Sequence, residues 1–389
     1  MNKHKLSLSS FLLVYFISLP GISLSQNEQA LFQEALTLLK DNYYSPEDIK
    51  RLLTEKAIKD CREKNQSSIY KAINCLTSKV KDPYTKYLTP EAANKELKRI
   101  KTLSTGLGIT VDPIDQSLIT RIQTNSPADR AGIKENDKII SINKIPIEYL
   151  NIEEINQALI HAEVGKKTLL DLQRGYLFFS VEIEMQEIPI LSTRSKLLNS
   201  GIFYIKIDDL LSKSAADEVE NLLLSKEAKN SNSLILDLRS NKGGLLKNGL
   251  IIADLFIKSG KLLIMISNEG KRIFTAKPNT LYSNPIVILI NGQTASSSEV
   301  IATALKDNNI AVLVGTKSFG KGLVQQIKAL SNGSALHITV SQLQTSKGRV
   351  INKTGITPDI FVRNDSEQLR AAIGYLKTIT RDQINSQNF

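Results

Sequence analysis

Histidine is nearly missing from this chain: only His4, His161 and His337 carry an imidazole, and Cys61 and Cys75 are its only cysteines. Five such side chains, scattered along the sequence, supply neither the Cys/His set of a zinc ribbon nor the ligands of an iron–sulfur cluster. A hydrolase that used histidine as its base would be confined to His161 or His337. With 20 glycines and 11 prolines in 389 residues, collagen-like and low-complexity architectures are also excluded. What is present is globular in character. Apolar residues make up 41% and charged residues 23%, and the length leaves room for more than one core.

The first 25 residues read as a secretory signal peptide rather than as part of the fold. Lys3, His4 and Lys5 form a basic start, Phe11 to Leu19 is a short apolar run, and Ser23 and Ser25 place small residues before a cut at Gln26. The run falls short of the ~20 residues of a comfortable membrane span, and no second segment approaches that length. No cysteine follows it, which argues against a lipid-anchored form. The expected location is exported, in the periplasm or associated with the cell envelope. An uncut signal would instead tether the protein to a membrane, and the sequence leaves that alternative open. Losing residues 1–25 removes two lysines and no acid, lowering the formal charge from +11 to +9. The basic residues are dispersed, so this charge reads as a solvated cationic surface and no nucleic-acid partner is expected. Export would also permit a disulfide between Cys61 and Cys75.

Three textures follow one another. Residues 26–102 read as helical, with Leu31, Ala35, Leu38 and Leu39 at helical spacing and helix starts at Ser45-Pro46-Glu47-Asp48 and Thr89-Pro90-Glu91. Between these starts lies Asp82-Pro83-Tyr84-Thr85-Lys86-Tyr87-Leu88, a turn with two tyrosines. Residues 103–188 change to short β-branched runs around one compact helix, which Ser126-Pro127-Ala128-Asp129 caps and Gly132 ends. Gly106-Leu107-Gly108-Ile109 opens this segment, and a glycine-rich loop of that kind offers amide N–H groups to a peptide's terminal carboxylate. From residue 189 to 362, apolar strands alternate with helical stretches. Runs at 202–207, 234–238, 262–266, 286–290 and 310–314 are expected as strands covered on both faces, with further strands at 336–340 and 349–352. Residues 363–389 supply a last helix and tail.

Three loops of the α/β region could carry chemistry. Asp237 to Leu245 holds Gly243-Gly244 at a strand-to-helix turn, where backbone amides could face an anion or an oxyanion; the plain alternative is a tight turn. Asn291 to Glu299 places serines at the start of a helix, where a nucleophile would feel free N–H groups and the positive helix end; a simple serine cap is the commoner reason for such a pattern. In Ser318-Phe319-Gly320-Lys321-Gly322, a lysine between glycines is either a solvated turn residue or one brought close to another backbone. Exposed lysine, with a pKa near ~10.4, is a poor base, and burial lowers that value.

Taken together, these loops resemble the carboxy-terminal processing peptidases, also called tail-specific serine proteases. The resemblance runs from about residue 30 to 361 and takes in the Asp-Pro-Tyr-Thr-Lys-Tyr-Leu turn, Thr345 to Arg349, and Gly355-Ile356-Thr357-Pro358-Asp359. The 103–188 segment resembles a PDZ domain of the bacterial, circularly permuted type. The fold class implied is α/β: an N-terminal helical segment, a PDZ-like β-rich domain, and a crotonase- or ClpP-like serine protease core with closing β-strands. The resemblance implies Ser296 as nucleophile, Lys321 as its base and Gln325 as the residue orienting the lysine. It implies oxyanion donation from the backbone of Ser297 and of Gly243 or Gly244, and binding of the substrate C-terminus at Gly106, Leu107, Gly108 and Ile109. Two departures stand out: Lys242 where the family usually has proline, and Ser297 where it often has alanine. Because the donors are main-chain groups, neither is expected to remove chemistry. His161-Ala162-Glu163 aligns where the family often has an arginine-containing turn, so an arginine link between PDZ and protease would differ here.

The resulting expectation is an exported serine endopeptidase with a Ser–Lys dyad, no metal or cofactor, and protein or peptide substrates with free C-termini. Self-association is left open. Two alternatives are a catalytically inactive PDZ-containing scaffold, which a serine-reactive probe would expose, and a hydrolase using His337 or His161, which would survive loss of Lys321.

Overall fold

The computed structural model describes residues 24–387, apart from 66–67, 99–102, 113, 124, 161–162 and 190. Residues 1–23 of the expected signal therefore lie outside the described part. The chain divides into two compact units, residues 1–93 with 325–339 and residues 94–324 with 340–389.

The first unit is mainly helical because serine or threonine stands at each helix start. Helices α1 (Gln26–Asn42), α2 (Pro46–Leu52), α3 (Glu55–Glu63) and α4 (Ile69–Lys79) are capped by Ser25, Ser45, Thr54 and Ser68, whose side chains accept backbone N–H groups that the helix cannot use. Helix α1 thus begins at Gln26, the residue expected to follow the signal cut. Apolar faces at Leu31, Ala35 and Leu39 and at Ala72, Ile73 and Leu76 are fully or almost fully buried. Cys61 of α3 and Cys75 of α4 form a disulfide. In the two-tyrosine turn, the Asp82 carboxylate accepts from Tyr84 N–H (2.9 Å) and the Thr85 hydroxyl (2.7 Å). Strand β1 (Lys86–Leu88) then pairs antiparallel with residues 335–337. Helix α5 (Pro90–Lys98) follows as expected from Thr89.

In the second unit, residues 103–189 form a β-rich segment, the one that resembles a PDZ domain in sequence. Strands β2 (Leu103–Gly106) and β9 (Gln186–Pro189) pair, as do β3 (Ile109–Val111) and β4 (Ile119–Ile122). Strands β5 (Lys138–Ile142), β6 (Ile145–Pro146), β7 (Lys167–Arg174) and β8 (Leu177–Glu184) form an antiparallel sheet in the order β6-β5-β7-β8. Helices α6 (Pro127–Arg130) and α7 (Ile152–Leu159) join Ile109, Ile119, Ile139 and Leu170 in one core. Ser126 caps α6 as the sequence predicted.

The remainder is α/β. Strands β10 (Thr193–Leu197), β11 (Ile202–Ile207), β12 (Ser233–Asp237), β15 (Ile286–Ile290), β16 (Ala311–Gly315) and β19 (Ile360–Phe361) form one sheet in that order, antiparallel only at β10. Helices α8 (Ala215–Leu224), α9 (Lys226–Lys229), α10 (Leu246–Asp254), α11 (Ser297–Asp307) and α12 (Asp365–Gln387) complete the layering. Strands β12 and β15 are buried along their whole length, which explains their uninterrupted apolar runs. One apolar run departs from expectation. Strand β13 (Lys261–Ser267) is not in the parallel sheet but pairs antiparallel with β14 (Gly270–Thr275) and with residues 341–344. Its second half is only half-buried, as a sheet with one face toward water allows. Strands β17 (Leu323–Ala329) and β18 (Ala335–Gln344) close the fold, whereas residues 349–352 make a single bridge from Val350 to Gln344 instead of a strand. Among the described residues no helix is long and apolar enough to cross a membrane.

The disulfide spans 14 residues. Closing a loop of that size restricts the unfolded chain by about 3 kcal/mol in the chain-entropy treatment. The Cys61→Ser/Cys75→Ser double variant should therefore lose about 3 kcal/mol in denaturant unfolding of the oxidised protein, and reduction of the wild type should reproduce that loss.

Candidate active site

The sheet order β12-β15-β16 brings the three candidate loops together, because each leaves the carboxyl end of one of three neighbouring parallel strands. Crevices at such strand ends are where open α/β sheets hold their ligands. Ser296 stands between β15 and α11 with φ +59° and ψ −124°. A positive φ at a residue with a Cβ costs about 1–3 kcal/mol, so the surrounding bonds must impose it.

Those bonds converge on Glu299. Its fully buried carboxylate accepts four donors: Ser296 N–H at 2.8 Å, Lys321 N–H at 2.8 Å, Gly320 N–H at 2.8 Å and the Ser318 hydroxyl at 2.5 Å. One side chain therefore holds the backbone of the serine loop and of the lysine loop. A further bond, Phe319 N–H to Thr294 O at 2.9 Å, joins the same two loops. Burial pushes the Glu299 carboxyl above the usual glutamate value, and the hydrogen bonds from Ser318, Lys321, Ser296 and Gly320 oppose that shift.

The two readings of the Gly-Lys-Gly motif are separated by packing. A Cβ at Gly322 would lie 2.3 Å from Asn352 N, and one at Gly320, where φ is +88°, would lie 2.8 Å from Gly355 N. The glycines are there because another backbone passes against them, and Lys321 between them is half-buried.

The turn after β12 is anchored by Asp237. This buried carboxylate accepts from the Tyr204 hydroxyl (2.7 Å) and from Arg239, with Lys206 at 3.5 Å. Burial alone would raise its pKa, yet Arg239, Lys206 and Tyr204 together hold it below the usual carboxylate range. Asn291 then ties this turn to the serine loop. Its Oδ1 accepts Ser240 N–H (2.9 Å) and Gln293 N–H (3.1 Å), while its Nδ2 donates to Asp365 Oδ2 (2.7 Å) at the start of α12.

Gly243 lies directly against the candidate nucleophile. A Cβ there would fall 2.8 Å from Ser296 Cβ and 3.0 Å from Ser297 N. The amides expected to face an oxyanion are arranged differently from one another. Gly243 N–H donates to Asn241 Oδ1 at 2.8 Å, and Gly244 N–H donates to Ser297 Oγ at 2.8 Å. The physical reason is that N–H groups in a buried turn take whatever acceptor is within reach. Only Ser297 N–H, in the first turn of α11, has no protein acceptor among the described residues.

Gln325 belongs to the first unit, where its Nε2 donates to Thr339 Oγ1 at 3.3 Å. His337, in the same unit, has Nδ1 3.2 Å from Tyr84 O. In the PDZ segment, Leu107 N–H donates to Leu159 O (2.9 Å), so one of the four residues proposed to take a carboxylate already has its amide engaged. Gly108 adopts φ +81° with Ser126 packed against it. His161 and Ala162 lie outside the described residues, but an arginine does reach from the PDZ segment: Arg121 of β4 donates to Thr193 O at 2.9 Å. Asp237, Asn291 and Glu299 lie at the ends of the candidate loops, and residue order alone gives none of them a role. The available signal was the Ser296-x-x-Glu299 spacing, a capping-box pattern in which the glutamate reaches back to the serine N–H.

Residues 201–362 match peptidase family S41, and residues 118–174 match the PDZ domain. The chain is similar to the carboxy-terminal processing protease CtpA of Bacillus subtilis, at 33% identity over 293 residues, covering 74% of this chain and 62% of that protein. It is also similar to the carboxyl-terminal-processing protease of Synechocystis, at 31% identity over 362 residues, covering 90% of this chain and 84% of that protein. Its fold resembles the solved photosystem II D1 C-terminal processing protease with a TM-score of 0.58 and 24% identity, covering 87% of this chain and 94% of the other.

Glu299 generates a test with a defined sign. Glu299→Gln puts an NH2 group where two donors converge, and activity should fall roughly 10²-fold, the scale expected when loops shift by about 1 Å. Wild-type activity should fall with acid at a pH above the ordinary glutamate value of 4.5, because the protonated carboxyl can no longer accept all four donors. A raised folded pKa contributes stability that is fully present below the unfolded value and is lost as pH rises through the folded one. This group therefore does not favour acid unfolding, and the acid limb should appear with circular dichroism unchanged.

Proposed function

Because the chain belongs to peptidase family S41, the carboxy-terminal processing serine proteases, and couples that peptidase to a PDZ domain, we propose that it is an exported endopeptidase working through Ser296 and Lys321. The observation that carries the reading is the Glu299 carboxylate, which holds the N–H groups of both residues 2.8 Å from one oxygen. None of the three loops contains a histidine, so lysine is the base the site offers.

Neutral Lys321 takes the hydroxyl proton of Ser296 as Oγ attacks the scissile carbonyl carbon. The carbonyl π electrons move onto oxygen, and that oxyanion is held by Ser297 N–H and by an amide of the Gly243-Gly244 turn. Collapse breaks the C–N bond, and the Lys321 ammonium returns its proton to the leaving amine. Water then adds to the acyl ester, with Lys321 taking its proton; collapse breaks the acyl C–O bond, and the Lys321 ammonium returns that proton to Ser296 Oγ, which restores the hydroxyl and the neutral lysine. Gln325 is the residue proposed to orient the lysine. No metal or cofactor enters these steps. The substrates are protein segments near free C-termini, with Gly106–Ile109 of the PDZ segment as the carboxylate site. The signal-like start and the Cys61–Cys75 disulfide support export.

Ser296→Ala should lower hydrolysis of an unstructured peptide with an apolar C-terminus by roughly 10³-fold or more, with the melting temperature maintained. Lys321→Arg should fail as fully as Lys321→Ala, since arginine keeps the charge but cannot give up its proton; activity within a few-fold of wild type would remove the general-base role. Amidating the peptide's C-terminus should weaken cleavage by roughly tenfold through loss of charge-assisted hydrogen bonds. Equal cleavage of amide and free acid would remove the carboxylate role of Gly106–Ile109.

A further inference from the structure

The serine that follows the nucleophile does something alanine could not. Ser297 is 1% exposed, and its Oγ accepts Gly244 N–H at 2.8 Å. The backbone of α10 passes close to this residue, since a Cβ at Gly249 would fall 2.7 Å from Ser297 O and 3.0 Å from Ser297 Cβ. Helix α10 thus packs closely against the start of α11, while the hydroxyl meets the Gly243-Gly244 turn at Gly244 N–H. The same turn lies against the nucleophile, with Gly243 packed on Ser296 Cβ and Ser297 N. Gly243 N–H is held separately by Asn241 Oδ1. Of the amides on this turn, the one bonded to Ser297 is therefore held by a side-chain hydroxyl instead of by the turn's own Asx bond.

We propose that Ser297 is a positioning residue that restrains catalysis: its hydroxyl occupies Gly244 N–H in the resting enzyme and competes with the oxyanion for that donor. This inference rests on the proposed reading in which Ser296 is the nucleophile and Gly244 N–H is the turn amide that receives the oxyanion. When the tetrahedral oxyanion forms, Gly244 N–H must exchange a hydroxyl acceptor for an alkoxide, and the cost of breaking the existing bond offsets part of the stabilisation it supplies. The substrate's ground state does not draw on that exchange, so the restraint falls on kcat and leaves KM nearly untouched. It also stabilises the fold, because the bond pairs a partly buried amide. Activity and stability then move in opposite directions when the hydroxyl is removed.

The test is Ser297→Ala in the full chain. Expected are a rise in kcat of about tenfold, KM within about twofold, and a melting temperature lowered by a few degrees. A peptide boronic acid, whose adduct with a serine hydroxyl places an oxygen where the oxyanion sits, should bind Ser297→Ala about tenfold tighter than wild type. The cleaved product peptide should bind both equally. An unchanged or lower kcat, or unchanged boronate affinity in a folded variant, would overturn the restraint and leave Ser297 as a structural anchor of the turn. Hydrolysis retained by Ser296→Ala would instead overturn the nucleophile assignment, and boronate binding to Ser296→Ala reports that failure separately.

Discussion

One buried carboxylate governs the geometry of the site. Glu299 sits in the first turn of α11 and takes N–H groups from Ser296, Gly320 and Lys321 and the hydroxyl of Ser318. A buried carboxylate without donors would be expensive, and buried N–H groups without an acceptor would be too. Each loop therefore meets its hydrogen-bonding needs only when the other is in place. The positive φ of Ser296 is maintained by the same bonds, since its N–H is among the four donors.

A second anchor, Asp237, does comparable work for the turn that carries Gly243 and Gly244. Its charge is retained in a buried position because Arg239, Lys206 and Tyr204 surround it. Asn291 and Asp365 extend this anchor to the serine loop and to the last helix. The backbone of the site is thus fixed from behind by polar side chains on neighbouring strand ends. Close backbone approach at Gly243, Gly320 and Gly322 brings the loops near enough for this arrangement.

Residues that differ from the family pattern acquire their meaning within that frame. Lys242 is exposed, so replacing the usual proline leaves the turn intact. Ser297 is buried, and its added hydroxyl meets Gly244 N–H. The same class of change, one residue at a turn or helix start, is inconsequential in water and consequential in the interior. Arg121 of β4 donates to Thr193 O, a contact carried by a side chain that the family pattern did not single out.

Much of the architecture was legible in residue order, because its signals are local. Helix caps at Ser45 and Ser126, the buried runs of β12 and β15, and the motif containing Ser296 depend on neighbours a few positions away. The scarcity of histidine narrowed the choice of base by counting alone. Two kinds of fact were decided only by tertiary structure. Lys261–Ser267 looks like a parallel-sheet strand in composition, yet its partners are a hairpin and β18, and sheet membership is a matter of long-range pairing. Which amides remain for an oxyanion could not be read from Gly243-Gly244 either. An N–H is free or engaged according to the acceptors that folding brings to it. Asn241 is two residues from Gly243, but Ser297 is 53 from Gly244.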